Sequence, residues 1–422
     1  MNTNPTRNRL LVLGALLSVC VALAYQPAWN AGFIWDDDVY VTNNHLLTAP
    51  DGLRRIWLSL DTPSQYFPLV YTVFRVEHHL WGLASAGYHC VNILFHAANA
   101  ILLWGLLRRL KIPGAWLGAA LFALHPVQVE SVAWVTELKN VLSLFFCLLA
   151  VRAWLEFADD RPHPWLWYGA AFVCQLLALF AKTTACTLPA VLFLTLWIQR
   201  KPINLRRILQ IAPFLLAGVG MGIVTVWFER HHQYAVGETF AIRPLARLLI
   251  ASRAVWFYLG KLIWPVNLSF SYARWHIDPA NPLAYIWLVC GVLATAAILA
   301  LRRFAGRGPE TAMLFYVAVL SPLLGLIMEY TFRYSFVADH YQYAACIGPL
   351  ALAAAGIDKF VVRAGRSLLL RPVTYALLLG ILGTLTWRQC RIYDNSETLW
   401  RATLERSPGS TIARNNLSQV LL

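Results

Sequence analysis

The sequence predicts an all-α membrane protein with many spanning helices, and three observations lead to this fold class. Of the 422 residues, 59% are hydrophobic and only 13% are charged, and the mean hydropathy is +0.54. Apolar runs of helical length recur along the chain. Basic residues cluster between those runs, as the positive-inside rule expects of cytoplasmic loops. Such a chain builds its core as a helix bundle in lipid.

Eleven segments are interpreted as transmembrane helices from their length and apolar content. They lie at 10–25, 88–107, 113–125, 141–157, 165–181, 185–199, 208–228, 283–301, 311–328, 341–357 and 373–387. The first follows Arg7 and Arg9 and is similar to a signal peptide in length and charge. Because AYQPAWNAGF after it is an imperfect cleavage site, we interpret the segment as an uncleaved anchor.

The distribution of charge predicts the sidedness of the bundle. With the N-terminus in the cytoplasm, nearly half of the 35 Lys and Arg residues fall in inner loops, while most of the 21 acidic residues fall on or near the outer side. The C-terminus is then outside. The net charge of +14 is explained by topology, so we expect no nucleic acid partner. The acidic bias suggests that the chemistry takes place outside.

Segment 244–265 is apolar enough to span the membrane but carries Arg247, Arg253 and Lys261. A span here would place these charges at membrane depth and would move Arg302 and Arg303 outside. We therefore interpret it as an amphipathic helix lying in the outer interface.

The predicted domain organisation is a transmembrane domain over 1–387, with long outer loops at 26–87 and 229–282, followed by a helical hairpin over 388–422. The tail shows two amphipathic stretches separated by Pro408, close to the period of one tetratricopeptide repeat. A single repeat cannot bury its own apolar face. The hairpin is therefore expected either to dock on the membrane domain or to continue into further repeats, and it could recruit a protein partner.

The strongest candidate for chemistry is the stretch Phe33 to Asn44, which contains Asp36, Asp37 and Asp38. Three adjacent carboxylates repel one another and require water, a cation or a polar substrate nearby. A solvated turn is the simplest alternative. Aromatic neighbours at interface depth, where unpaired charge is costly, favour a functional site instead.

Other candidates lie in the outer loops and at the outer ends of the predicted spans. They are His125, Glu130 and Glu137 in HPVQVESVAWVTELKN, Lys182 in AKTTACTLP, Arg333, Asp339 and His340 in EYTFRYSFVADHYQY, and Arg243 in the interfacial segment. Outward carboxylates beside cations at headgroup depth suit transfer of a group from a lipid-linked phosphate to an outer acceptor. A carboxylate takes the proton of the acceptor hydroxyl, and Lys or Arg neutralises the departing phosphate. No glycine-rich nucleotide loop supports direct use of a nucleotide donor.

Three stretches, WDDDVYVTNN, residues 67–104 and LHPVQVESVAWVTELKN, resemble the transmembrane and tetratricopeptide-repeat O-mannosyltransferases of the GT-C superfamily and their bacterial relatives. AKTTACTLP, YLGKLIWPVNLSFSY, ADHYQYAACIG and NNLSQVL follow in the expected order. The resemblance implies a GT-C bundle in the bacterial inner membrane, with a periplasmic active site and a polyprenyl-phosphate sugar donor. The expected product is a mannosylated, or otherwise hexosylated, protein Ser/Thr or other envelope acceptor.

The resemblance also implies roles for individual residues. Asp36 and Asp37 match the catalytic acidic motif, with Asp37 as base or acceptor orienter, and Asp38 is an additional carboxylate. His125, Glu130 and Glu137 match the second outer loop, in which Glu130 is assigned to catalysis. Lys182, Arg243 and Arg333 are the candidates for the phosphate, since His340 stands where the family has Arg. If a metal is used, Mg²⁺ or Mn²⁺ on Asp36 and Asp37 is expected, because some GT-C enzymes use a divalent cation.

Two further functions remain open from the sequence. A transporter or flippase of lipid-linked glycans would need paired charges inside the bundle and discontinuous helices. A catalytically inert scaffold that recruits partners through its repeat would tolerate loss of the carboxylates.

Overall fold

The computed structural model describes residues 5–59, 63–234, 237–364 and 369–422, and within these ranges it contains α-helices, short 3-10 and π turns and no strand. The prediction of an all-α multi-pass membrane protein is confirmed. The α-helices are α1 Pro5–Ala24, α2 Gly52–Leu58, α3 Pro68–Trp81, α4 Ser85–Arg109, α5 Ala115–Leu124, α6 Val129–Ala133, α7 Leu138–Ala158, α8 Pro164–Ala181, α9 Leu188–Ile198, α10 Leu205–His231, α11 Pro244–Ile263, α12 Ile286–Ala305, α13 Gly308–Leu320, α14 Ile347–Ala364, α15 Leu370–Cys390, α16 Ser396–Arg406 and α17 Thr411–Leu421.

Each of the eleven predicted segments contains a helix, and in the described part of the chain seven helical stretches are long and apolar enough to cross a membrane. These are Arg7–Ala24, Ser85–Arg109, Val135–Ala158, Pro164–Ala181, Leu205–His231, Pro282–Ala305 and Leu370–Tyr393. The other four predicted segments correspond to α5, α9, α13 and α14. The first three are too short to cross about 30 Å of hydrocarbon at about 1.5 Å per residue. The fourth carries Asp358, Lys359 and Arg363.

The core of the bundle is built around α5 and α7. Helix α7 packs along α8 and against α4, while α5 contacts α4, α14 and α15. Small residues allow the closest of these approaches. Gly114 has φ +65°, and a Cβ there would lie 2.7 Å from the Ala354 carbonyl oxygen, so only glycine permits α14 to approach this closely.

Short turns interrupt the helices at one end of the bundle, and most of the candidate residues lie on or beside them. Four such 3-10 turns are Pro126–Gln128, Val135–Glu137, Thr183–Thr187 and Asp339–Gln342. Non-helical backbone near membrane depth is tolerated where it is buried in protein or lines a cavity. The interruptions therefore bring polar side chains from distant parts of the sequence to one end of the bundle.

Helix α11 forms where the interfacial segment is predicted. One face is buried, through residues such as Leu249, Ala254 and Tyr258, while Arg253 stacks on Trp275 at 4.3 Å from the ring centroid. The helix is amphipathic, as predicted, and it is absent from the seven apolar stretches above. Its position in the membrane interface stays a prediction.

The tail forms two short helices, α16 and α17, that pack on each other. Each begins at a polar cap: the Asn395 side chain accepts from the Thr398 amide at 2.9 Å, and the Ser410 hydroxyl accepts from the Ala413 amide at 3.4 Å. The buried Trp400 of α16 contacts Trp35 and Phe270 of the preceding chain. The hairpin therefore packs against the acidic segment and the loop that carries Phe270.

Candidate active site

The acidic segment after α1 folds into a tight turn closed by its own carboxylate. The Asp37 amide donates to the Ile34 carbonyl at 3.0 Å, and the Ile34 amide donates to Asp37 Oδ2 at 2.9 Å. A short π turn, Asp38–Thr42, follows directly. This turn separates the three acidic side chains, so they have different environments.

Asp37 is fully buried and joins the acidic segment to the turn Val135–Glu137. Its Oδ1 accepts from the Thr136 amide at 2.8 Å and from the Thr136 hydroxyl at 2.5 Å. Burial raises the pKa of Asp37 to about 7, although the bonds from Ile34 and Thr136 oppose this rise. With both oxygens engaged, Asp37 fixes the position of its neighbours.

Asp36 and Asp38 point to different surroundings. Asp38 is exposed and accepts a hydrogen bond from the Thr42 hydroxyl at 3.0 Å. Asp36 is half-buried, and burial raises its pKa to about 6, while the nearby Lys139 ammonium holds it down and Glu137 adds to the rise. Asp36 is therefore the member of the triplet that is partly accessible and faces other charges.

Glu137 is the centre of a buried ionic cluster. Its carboxylate lies 2.9 Å from Lys139 Nζ and 3.5 Å from Lys182 Nζ, and it also accepts a hydrogen bond from the Asn140 amide. The His340 Nε2 atom lies 3.9 Å away. One carboxylate with no exposed surface thus holds two ammonium groups at the N-terminal end of α7.

Lys182 enters this cluster from the end of α8. Its ammonium donates to Asn140 Oδ1 at 2.8 Å, in addition to its contact with Glu137. Burial lowers the pKa of Lys182, and Glu137 and Glu329 oppose this change. The structure therefore brings two predicted residues, Glu137 and Lys182, into direct contact.

A second set of predicted residues packs beside the ionic cluster. His340 Nδ1 lies 2.6 Å from Glu130 Oε1, and the Tyr272 hydroxyl donates to Asp339 Oδ1 at 2.9 Å. Burial raises the pKa of Glu130 well above its usual range and lowers that of His340 to about 3. Burial also raises the pKa of Asp339, to about 7.

Three predicted residues lie outside these contacts. His125 is buried, with Nε2 donating to the Leu262 carbonyl at 3.0 Å and Nδ1 accepting from the Val127 amide, so it ties the end of α5 to α11. Arg243 is exposed at the N-cap of α11. Arg333 is exposed and stacks on Tyr330 and Tyr334. Their binding roles stay predictions.

The structure also places Lys139, Asn140 and Glu329 in or beside the ionic cluster. Lys139 and Glu329 belong to the groups that the sequence singles out, but none of the three is assigned a role from the sequence. Burial raises the pKa of Glu329 to about 8, and Lys182 and Lys139 oppose the rise. The sequence contains a signal for Lys139, since it follows Glu137 by two residues in the same motif. Asn140 and Glu329 lie at the ends of apolar runs, where a polar residue usually marks only the end of a membrane-spanning segment.

The acidic motif does not fit a metal ion held by Asp36 and Asp37 together. Both oxygens of Asp37 already accept hydrogen bonds from Ile34 and Thr136. Within the described residues, no three His, Cys, Asp or Glu side chains are grouped so that they could hold a metal. We therefore assign no role to Mg²⁺ or Mn²⁺ at Asp36 and Asp37.

Comparison with known proteins gives the relatives of this chain. It is 34% identical to the Homo sapiens protein O-mannosyl-transferase TMTC4 over 207 residues, which cover 42% of this chain and 27% of that protein. It is 28% identical to the Homo sapiens protein O-mannosyl-transferase TMTC2 over 195 residues, or 43% of this chain and 23% of that protein. Its relatives are protein O-mannosyl-transferases. The resemblance inferred from the sequence motifs is therefore confirmed.

A further relative aligns over nearly the whole chain. The Caenorhabditis elegans protein O-mannosyl-transferase F38B6.6 is 22% identical over 440 residues, which cover 98% of this chain and 60% of that protein. The chain thus spans between about a quarter and 60% of the length of these relatives. No family model and no solved structure matches it.

Proposed function

We propose that this protein is a glycosyltransferase that moves a sugar, mannose or another hexose, from a polyprenyl-phosphate donor to a hydroxyl of an envelope acceptor on the periplasmic face of a bacterial inner membrane. One observation carries the proposal: the half-buried carboxylate of Asp36 interacts electrostatically with Lys139 and Glu137 of the ionic cluster, and Asn140 of that cluster lines an apolar cavity. This arrangement provides a base, a phosphate site and a lipid site together. The names of the relatives agree with it.

The apolar cavity supports a lipid-linked donor. It has a volume of about 520 Å³ and lies among α4, α7, α9, α13 and α14. Asn140 and Tyr341 line it, and Asn140 is the residue that binds Lys182. A polyprenyl chain held here would have its phosphate beside the ammonium groups of the cluster.

Asp36 is proposed as the base, with Asp37 holding the segment. The acceptor hydroxyl loses its proton to Asp36 as its oxygen bonds to the anomeric carbon of the donor sugar. The bond between that carbon and the phosphate oxygen breaks, and polyprenyl phosphate leaves with the electron pair. Proton transfer to a positioned carboxylate commonly contributes about 10²–10⁴-fold to a rate.

Lys182 and Lys139 are proposed to stabilise the negative charge that develops on the departing phosphate. Ammonium groups placed where charge develops act strongly in a site that excludes water. Glu137 holds both of them before the donor binds. The exposed Arg333 is proposed to contact the sugar phosphate as the donor enters, and the hairpin is a candidate surface for a protein acceptor or partner.

Sugar transfer in reconstituted liposomes tests the proposal. Labelled polyprenyl-phosphate mannose, or the glucose and galactose counterparts, is mixed with wild-type protein and a periplasmic extract. We expect label on protein Ser or Thr, or on an envelope glycan. Absence of label with all donors, together with transfer of the labelled lipid across the bilayer, would instead support a flippase.

The rate of transfer should depend on pH through Asp36. Because the base must be ionised, kcat/KM should rise as the pH rises through about 6 and level off above that. Lys139 holds the pKa of Asp36 down, so Lys139→Met should move the midpoint to higher pH. The measurement is a pH profile between 5 and 8 at saturating acceptor. A profile that falls over this range would contradict Asp36 as the base.

A further inference from the structure

The residue before the acidic pair has a strained backbone. Trp35 has φ +45°, in the left-handed region that a bulky L-residue rarely adopts. Such a conformation costs about 1–3 kcal/mol and persists only where the surroundings impose it. The interactions that hold Trp35 therefore also determine where Asp36 points.

Three aromatic rings surround Trp35, and each comes from a different part of the chain. Trp134 stacks on it at 5.6 Å between ring centroids, while Phe270 and Trp400 meet it edge to face at 5.3 and 5.9 Å. Trp400 is 1% exposed and also meets Phe270 at 5.3 Å. The ring quadrupoles stabilise aromatic pairs in these arrangements, in addition to the free energy gained by burying their apolar surface.

The hairpin that carries Trp400 is fastened to the same region by hydrogen bonds. The Gly32 amide donates to the Asp394 carbonyl at 2.8 Å, directly before the acidic segment. The Ala273 amide donates to the Ser407 hydroxyl at 2.9 Å, and Arg406 donates to the Leu268 carbonyl at 2.6 Å. Both the backbone of the acidic segment and the loop that carries Phe270 are thereby bound to the hairpin.

We propose that the C-terminal hairpin is a structural part of the active site, and that Trp400 is a positioning residue that keeps Trp35 in its strained conformation and so aims Asp36 at the ionic cluster. The catalytic part of this inference rests on the proposed function. The structural part does not, because it concerns only the conformation of the acidic segment.

The experiment compares Trp400→Ala and Trp400→Phe with wild type in the full chain reconstituted in lipid nanodiscs. Leu417→Ala is the matched control, since Leu417 is a partly buried residue of the same hairpin that packs against the hydrophobic core from α17. Two measurements are made: amide hydrogen exchange of the Ile34 and Asp37 amides, and kcat and KM for sugar transfer. Exchange reports local opening independently of activity.

For Trp400→Ala we expect exchange of the Ile34 and Asp37 amides to be about tenfold faster and kcat to be about tenfold lower, with the donor KM unchanged. Trp400→Phe should keep exchange of these amides and kcat close to the wild-type values, and Leu417→Ala should change neither the exchange nor kcat. Unchanged exchange in the acidic segment of Trp400→Ala, or equal acceleration across the whole chain, would overturn the proposal. If wild type transfers no sugar, the proposed function fails, while the exchange data still decide whether the hairpin positions the segment.

Discussion

Replacing Asp36 by asparagine should lower the rate of sugar transfer by about 10²–10⁴-fold, with little change in donor KM. Asparagine has nearly the same shape but cannot accept the proton of the acceptor hydroxyl. Because Asp36 is half-buried and its charge acts on the ionic cluster without forming a structural bond like those of Asp37, the variant should fold. The measurement is initial-rate kinetics in liposomes.

Asp38→Asn is the matched control for this experiment. Asp38 is the exposed neighbour, its only side-chain hydrogen bond in the described structure is with Thr42, and the substitution preserves an acceptor for that bond. Its rate should stay within about twofold of wild type, as for surface substitutions away from special features. Equal losses in Asp36→Asn and Asp38→Asn would show that the acidic run acts through its total charge and would remove Asp36 as the base.

Asp37→Asn should also lower the rate of sugar transfer, because it weakens the hydrogen bonds that hold the backbone of the acidic segment. The asparagine amide nitrogen cannot accept the bond from Ile34 or Thr136, so one buried donor is left unpaired. Faster amide exchange in the acidic segment should therefore accompany the loss of rate in Asp37→Asn and not in Asp36→Asn.

The largest stability effect should come from Glu137→Gln. This substitution leaves the ammonium groups of Lys139 and Lys182 buried without a counter-charge. Breaking a buried ion pair in this way costs about 3–5 kcal/mol. The midpoint of thermal unfolding in nanodiscs should fall by far more than for Glu397→Gln, which removes an exposed ion pair with Arg401.

A second substitution separates charge from packing in this prediction. Glu137→Gln combined with Lys182→Met removes one of the uncompensated ammonium groups and should recover part of the lost stability. If the double variant is less stable than Glu137→Gln alone, the hydrogen bonds of Lys182 to Asn140 matter more than its charge.

Several candidate residues from the sequence lie together in the structure because the polar side chains are concentrated in a few stretches of an apolar chain. Glu130, Glu137, Lys182, Asp339 and His340 were all candidates, and the structure brings them together. Their pairing was not predictable, since Lys182 lies 45 residues from Glu137 and His340 lies 210 residues from Glu130. The same limit explains why His125 was grouped with them although it contacts the Leu262 carbonyl.

The class of protein, the helical segments and the family resemblance follow from the sequence, because apolar length, loop charge and local motifs are properties of neighbouring residues. Which of Asp36 and Asp37 is accessible depends on the folded structure, because the amides of Ile34 and Thr136 and the Thr136 hydroxyl bind the oxygens of Asp37. The folded structure also decided that the hairpin reaches the acidic segment, where Trp400 meets Trp35 across most of the length of the chain. Burial and long-range contact between side chains are set by packing, and packing is a property of the folded bundle as a whole.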